Sequence, residues 1–236
     1  MKKLNNNQRK ALIIFILTVV NITLFQFELG RQILYPFTIL GTWFHEMSHG
    51  LMAIIMGGTF EKLEIFSDGS GVATHSGELY LGGVGRALIA FAGPLGPTLF
   101  GFIFIVIAKN EKYTNYGLWL ITVIMIVSLI LWVRNIFGLV VIGSFATILI
   151  FILLKSKNTL HKEFITLFLG LQAIISVYLS LGYIFTKEIV LGNQLMKSDT
   201  GVVEEILFLP YYFWGILIIF ISIFVLTQSL IKLFKS

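Results

Sequence analysis

The sequence predicts an all-α polytopic membrane protein, with about seven transmembrane helices and a short β-hairpin between the second and the third. Three observations carry that prediction. Hydrophobic residues make up 57% of the 236 positions and charged residues 12%, and the mean hydropathy is +0.91, far more apolar than a soluble domain. The apolar residues fall into runs of about 20, the length that crosses the hydrocarbon core as a helix. Between the second and third runs, the stretch from Thr59 to Ile65 alternates in polarity, and Asp68-Gly69 follows it as a turn signal before Val72, the pattern of a hairpin.

The spans are expected at 11–27, 33–56, 79–108, 116–133, 136–154, 164–185 and 211–234. Lys2, Lys3, Arg9 and Lys10 precede the first. That start resembles a secretory signal, but Phe25-Gln26-Phe27-Glu28 offers no small-x-small cleavage site, so the span is read as retained. The whole chain, 1–236, is read as one integral-membrane domain. It has a basic cytoplasmic N-terminus at 1–10, the hairpin at 59–78 and a loop at 187–210 before the last span. Simple alternation of seven spans places nine Lys and Arg on the N-terminal side and eight on the other, which barely decides orientation. The four charges ahead of the first span favour an N-terminus in the cytoplasm of a bacterial-type cell membrane.

The net charge of +5 comes from chain ends and connectors rather than from a basic stripe, so no nucleic-acid partner is expected. With no cysteine, a disulfide framework, a thiolate nucleophile and a cysteine-held metal are all excluded. Any metal must be held by His, Asp, Glu or Asn.

The chemistry centres on His45-Glu46-Met47-Ser48-His49-Gly50, which lies inside an apolar run. Residues four apart share one face of a helix, so His45 and His49 can aim a nitrogen each at one ion. In the H-E-x-x-H arrangement the carboxylate, here Glu46, is not a ligand. It takes a proton from a zinc-bound water whose pKa the metal has lowered. Ionisable groups at that depth are costly, and they mark a functional site by default.

A catalytic zinc takes three protein ligands and one open position. A third histidine six residues past His49 is absent, because Ile55 stands there. Asp68, His75, His161 and Asp199 remain. Asp68 suits its own turn, His161 sits in a solvated linker, and His75 would require the hairpin to fold back onto the motif. Asp199 precedes a short amphipathic run, 202–208, and is either the third ligand or the cap of that helix; it is preferred over the others as ligand. Ala92-Gly93-Pro94-Leu95-Gly96-Pro97 cannot form an unperturbed helix, and is expected to pack against the motif helix. Arg134-Asn135-Ile136-Phe137-Gly138 joins two spans with almost no loop; Asn135 either sits in a turn or hydrogen-bonds substrate. The hairpin is either a plain connector or an edge strand that pairs with an unwound substrate segment.

With these motifs the chain resembles the site-2 protease family of intramembrane zinc metalloproteases, in its smaller branch without a PDZ domain. The resemblance rests on the His45 to Gly50 motif, Met56-Gly57-Gly58, Ser67-Asp68-Gly69-Ser70-Gly71, the Gly93 and Pro94 segment, Arg134 to Gly138, and Ser198-Asp199 before Pro210 and Trp214. It implies that His45 and His49 bind Zn2+ and that Glu46 activates water to cut a peptide bond of a membrane-anchored protein substrate within the lipid bilayer. One departure stands out: the family's third ligand comes from an Asn-x-x-Pro-x-x-x-Leu-Asp-Gly segment, and the corresponding place here has no aspartate. The alternative is a catalytically inactive membrane protein of the same fold that binds a partner or a structural metal, in which Glu46 would be dispensable. A solute transporter is disfavoured because no internal repeat is visible.

Overall fold

The structure is a computed structural model and describes residues 6–191 and 194–234. Lys2, Lys3 and Asn193 lie outside the described residues. In chain order the elements are α1 (Asn6–Phe25), α2 (Glu28–Ile55), β1 (Thr59–Ile65), β2 (Gly71–Ser76), α3 (Gly83–Ile107), α4 (Glu111–Leu131) and α5 (Ile136–Lys155). There follow α6 (Thr159–Leu179), α7 (Leu181–Ile184), β3 (Glu188–Leu191), β4 (Gln194–Lys197), α8 (Asp199–Leu207) and α9 (Tyr211–Phe234). The expected helical membrane bundle with a small hairpin after its second helix is what the chain forms. Six helices, α1, α3, α4, α5, α6 and α9, are long and apolar enough to cross a membrane. The seventh long helix, α2, is diluted by Glu28, Arg31, His45, Glu46 and His49.

The centre of the molecule is α2 against α3. Trp43, Phe44 and Met47 of α2 are fully buried with Phe104 of α3, Met125 of α4 and Ile142 of α5. The expected break at Ala92 to Pro97 does not occur: α3 runs through both Pro94 and Pro97. Each proline removes one backbone N–H bond, but both are buried between neighbouring elements, and packing on both sides holds a helix that would be kinked in isolation. The segment packs on the motif helix as expected. A Cβ on Gly96 would lie 1.8 Å from Ser48 Oγ, so only glycine allows this approach.

β1 and β2 form an antiparallel pair, with Leu63 opposite Ala73 and Ile65 opposite Gly71. The far side of β1 is covered by the α4–α5 connector. Leu63 N–H donates to the Trp132 carbonyl at 2.8 Å, and the Leu63 carbonyl accepts from Arg134 N–H at 3.1 Å. Asn135 extends this pairing through its side chain: Oδ1 accepts from Ile65 N–H at 3.1 Å and Nδ2 donates to the Ile65 carbonyl. Phe60, Leu63 and Ile65 are buried, so the hairpin is folded into the bundle rather than lying on top of it. Its turn is pinned to α2, where Thr42 Oγ1 donates to the Gly69 carbonyl at 2.6 Å and Tyr35 Oη donates to the Ser67 carbonyl at 2.7 Å. A second hairpin, β3–β4, and the helix α8 occupy most of the segment expected as loop.

The helix ends gather at one end of the bundle. Lys10 Nζ donates to the Ala108 carbonyl at 2.6 Å and lies 3.1 Å from Glu163 Oε2, Lys162 Nζ donates to Asn115 Oδ1 at 3.0 Å, and Lys109 Nζ donates to the Lys232 carbonyl at 2.6 Å. The start of α1, the α3–α4 and α5–α6 connectors and the end of α9 therefore share one end.

Asn135→Ala removes both bonds to Ile65 and leaves buried backbone groups unpaired, an expected loss of about 1–3 kcal/mol. Thermal unfolding in detergent measures it, and faster hydrogen exchange confined to β1 would locate the damage.

Candidate metal centre

His45 and His49 sit one turn apart on α2, with Nε2 atoms 3.1 Å apart. Asp199, the first residue of α8, reaches both: Oδ2 lies 3.0 Å from His45 Nε2 and Oδ1 lies 3.3 Å from His49 Nε2. Ser198 is the cap, its Oγ accepting from Gly201 N–H at 3.1 Å, and the Asp199 carboxylate is turned to the imidazoles instead.

Four observations show that these residues suit a metal ion. Zinc ligands at roughly 2.0–2.1 Å in tetrahedral geometry stand about 3.3 Å apart, close to the separations just given. His49 Nδ1 donates to the Ile89 carbonyl at 2.7 Å, so its Nε2 is left to present a lone pair. Asp199 Oδ2 is buried and accepts no hydrogen bond despite its nearness to His45: the atoms are close but not aligned for a shared proton. Finally, α3 closes the site at Gly93, where a Cβ would lie 2.1 Å from His49 Nε2 and 2.8 Å from His45 Nε2. Gly93 and Ile89 are contributors that sequence reasoning did not assign to this site. The Gly-Pro pattern was the available signal for Gly93; a carbonyl acceptor leaves none.

Glu46 follows His45 and is 7% exposed. The Ala73 backbone hydrogen-bonds it. The reason lies in the ladder: Leu63 points its N–H and C=O away from β2, so its opposite residue Ala73 turns its own groups to the outer edge, where Glu46 stands. A Cβ on Gly71 would come 2.8 Å from Glu46 Cγ. β2 is therefore the hairpin's free edge, and it borders a cavity of about 320 Å³ that also takes in Thr42, His45, Glu46, Pro94 and Tyr183.

The other candidates lie elsewhere. Asp68 serves its turn: its Oδ1 accepts from Ser70 Oγ at 2.6 Å and Ser70 N–H at 2.9 Å, bonds that hold its carboxyl below the usual carboxylate range. His75, on β2 opposite Phe60, is outside the convergent group, and burial pushes its imidazole pKa down. His161 borders a separate cavity with Arg9 and Lys10 at the helix-end face. Asn135 is engaged on Ile65 rather than facing the imidazoles.

A bundle of long apolar helices that gathers two imidazoles and a carboxylate around one point, with a second carboxylate beside them, has the donor set of a metallopeptidase. Its sequence matches the Peptidase M50B-like family model over residues 11–229, and the chain belongs to that family, the site-2 protease type of membrane metalloprotease. Neither a curated protein nor a solved structure matches it.

Gly93→Ala drives a methyl group into both imidazoles. Metal affinity, measured by competition with a chromogenic chelator, is expected to fall by roughly 10–100-fold, the scale of changes around a ligand, with the helical content unchanged.

Proposed function

We propose that the protein is an active intramembrane zinc endopeptidase, with His45, His49 and Asp199 as ligands of Zn2+ and Glu46 as general base. The observation that carries this reading is the convergence of the three donor atoms next to Glu46. When bound, zinc lowers the pKa of a water molecule and polarises the scissile carbonyl. Glu46 receives the proton of the attacking water and delivers it to the leaving amine. The Ile89 carbonyl orients the His49 ring, Gly93 leaves room for both rings, and the buried setting keeps bulk water from competing for that bond.

The substrate is a membrane-anchored protein, and β2 receives it. A peptide bond inside a helix is shielded by its own backbone bonds, so the cleaved segment must be extended. The outer edge of β2 offers the Gly71 backbone groups and the Ala73 carbonyl to such a segment, directly beside Glu46. Asn135 supports this from the other side, holding β1 and hence β2 in place.

The grouped helix ends give a second charge count that bears on the orientation. With the helix ends grouped, Arg9, Lys10, Lys109, Lys112, Lys155, Lys157, Lys162 and Lys232 belong to the N-terminal face. Arg31, Lys62, Arg86, Arg134, Lys187 and Lys197 lie toward the other end, among most of the carboxylates. The short connectors of the first face carry the bias, which supports an N-terminus in the cytoplasm. Fluorescent reporters fused to either end are expected to be bright, and alkaline phosphatase fused there inactive; an active phosphatase reverses the orientation.

For the chemistry, zinc content and hydrolysis separate the roles. His45→Ala, His49→Ala and Asp199→Ala are expected to lose zinc. Glu46→Gln should keep zinc and lose roughly 10²–10⁴-fold in hydrolysis rate. Purified wild-type protein that takes up no zinc would overturn the reading.

A further inference from the structure

We propose that Tyr183 is a further catalytic residue, whose phenol O–H donates to the oxyanion that forms on the scissile carbonyl. The inference rests on the protease reading above and deepens it. Hydrolysis of an amide passes through a tetrahedral species. Water oxygen bonds to the carbonyl carbon while the C=O pair moves onto oxygen, and Glu46 takes the water proton. When the C–N bond breaks the pair returns, and Glu46 passes the proton to the amine. Sites of this kind place a hydrogen-bond donor where the negative oxygen develops.

The cavity has several hydroxyls, and most are already committed. Thr42 donates to the Gly69 carbonyl at 2.6 Å, Ser70 to Asp68 at 2.6 Å, Ser176 to the Ala173 carbonyl at 2.7 Å and Ser180 to the Ser176 carbonyl at 2.9 Å. Thr38 lies seven residues before His45, roughly 10 Å along the helix. Tyr183 differs in place and in bonding. Its ring stands edge-on to His45, with centroids 6.0 Å apart, and its side chain lines the cavity with His45 and Glu46. Its oxygen accepts the Asp199 N–H at 3.1 Å, which fixes the hydroxyl beside the ligand group while leaving its own proton to give. The phenol also hydrogen-bonds the Asp199 carboxylate; with that carboxylate holding zinc, the substrate oxygen would be the acceptor left to it. The proton then goes to the substrate oxygen. Tyr183 keeps its proton throughout and acts by hydrogen bonding alone.

The test compares wild type, Tyr183→Phe and Glu46→Gln for zinc content, turnover of dye-labelled casein in detergent, and affinity for a phosphinic peptide whose tetrahedral anionic group mimics the oxyanion. Tyr183→Phe is expected to retain zinc, to lose about 10²–10³-fold in kcat with KM little changed, and to weaken the phosphinic peptide by a similar factor while binding of the parent amide peptide is unaltered. Full turnover and phosphinic-peptide affinity in Tyr183→Phe would overturn the proposal. Loss of zinc in Tyr183→Phe would also overturn it, making Tyr183 a residue that only positions Asp199. Failure of the protease reading itself looks different: Glu46→Gln then matches wild type, or wild-type protein binds neither zinc nor the phosphinic peptide.

Discussion

The contact between α2 and α3 is the constraint from which the rest of the site follows. Two imidazoles on adjacent turns of one helix repel a neighbouring helix unless it brings no side chain to that point. Gly93 meets this condition against His49 and His45, and Gly96 meets it against Ser48. The same close approach puts the Ile89 carbonyl within 2.7 Å of His49 Nδ1. One helix surface thus makes room for the rings and selects the tautomer of one of them. In an apolar setting, where an unpaired polar group is expensive, these two services are inseparable.

The hairpin poses the opposite problem, since a strand inside a bundle brings backbone groups that must find partners. On the β1 side the solution is complete. Val133 pairs with Leu63, and the Asn135 amide stands in for one more backbone residue at Ile65. On the β2 side it is incomplete by design of the ladder, because Ala73 and Gly71 point their backbone groups outward next to Glu46. A free edge at that location is a liability for a structural hairpin. For a site that must hold an extended peptide it is the useful half of a sheet.

Asp199 arrives by a third route. Ser198 N–H donates to the Lys187 carbonyl at 3.0 Å and Ser198 Oγ donates to the Thr186 carbonyl, so the residue before the carboxylate is held to the end of β3's lead-in. The ion pairs nearby, Lys187 with Glu204 and Lys197 with Glu205, are substantially exposed, and such pairs contribute little. Backbone bonding and the α8 contact with Ala87 and Ala90 through Val203 are what place the carboxylate over the two rings.

Local pattern was enough for the membrane class, the helix spacing of His45 and His49, the small-residue face of α3 and the hairpin with its Asp68 turn, because each is written in residues within a few positions of one another. The second hairpin was missed, since its strands are four residues long and only the Gly192-Asn193 pair in the sequence signalled a turn. The pairing of Asp199 with residues 150 positions earlier, the assignment of Asn135 to β1, the Ile89 carbonyl behind His49 and the exposure of the β2 edge to Glu46 all required the tertiary structure. They depend on distances between elements far apart in the chain, and no periodicity or spacing within a single segment encodes such distances.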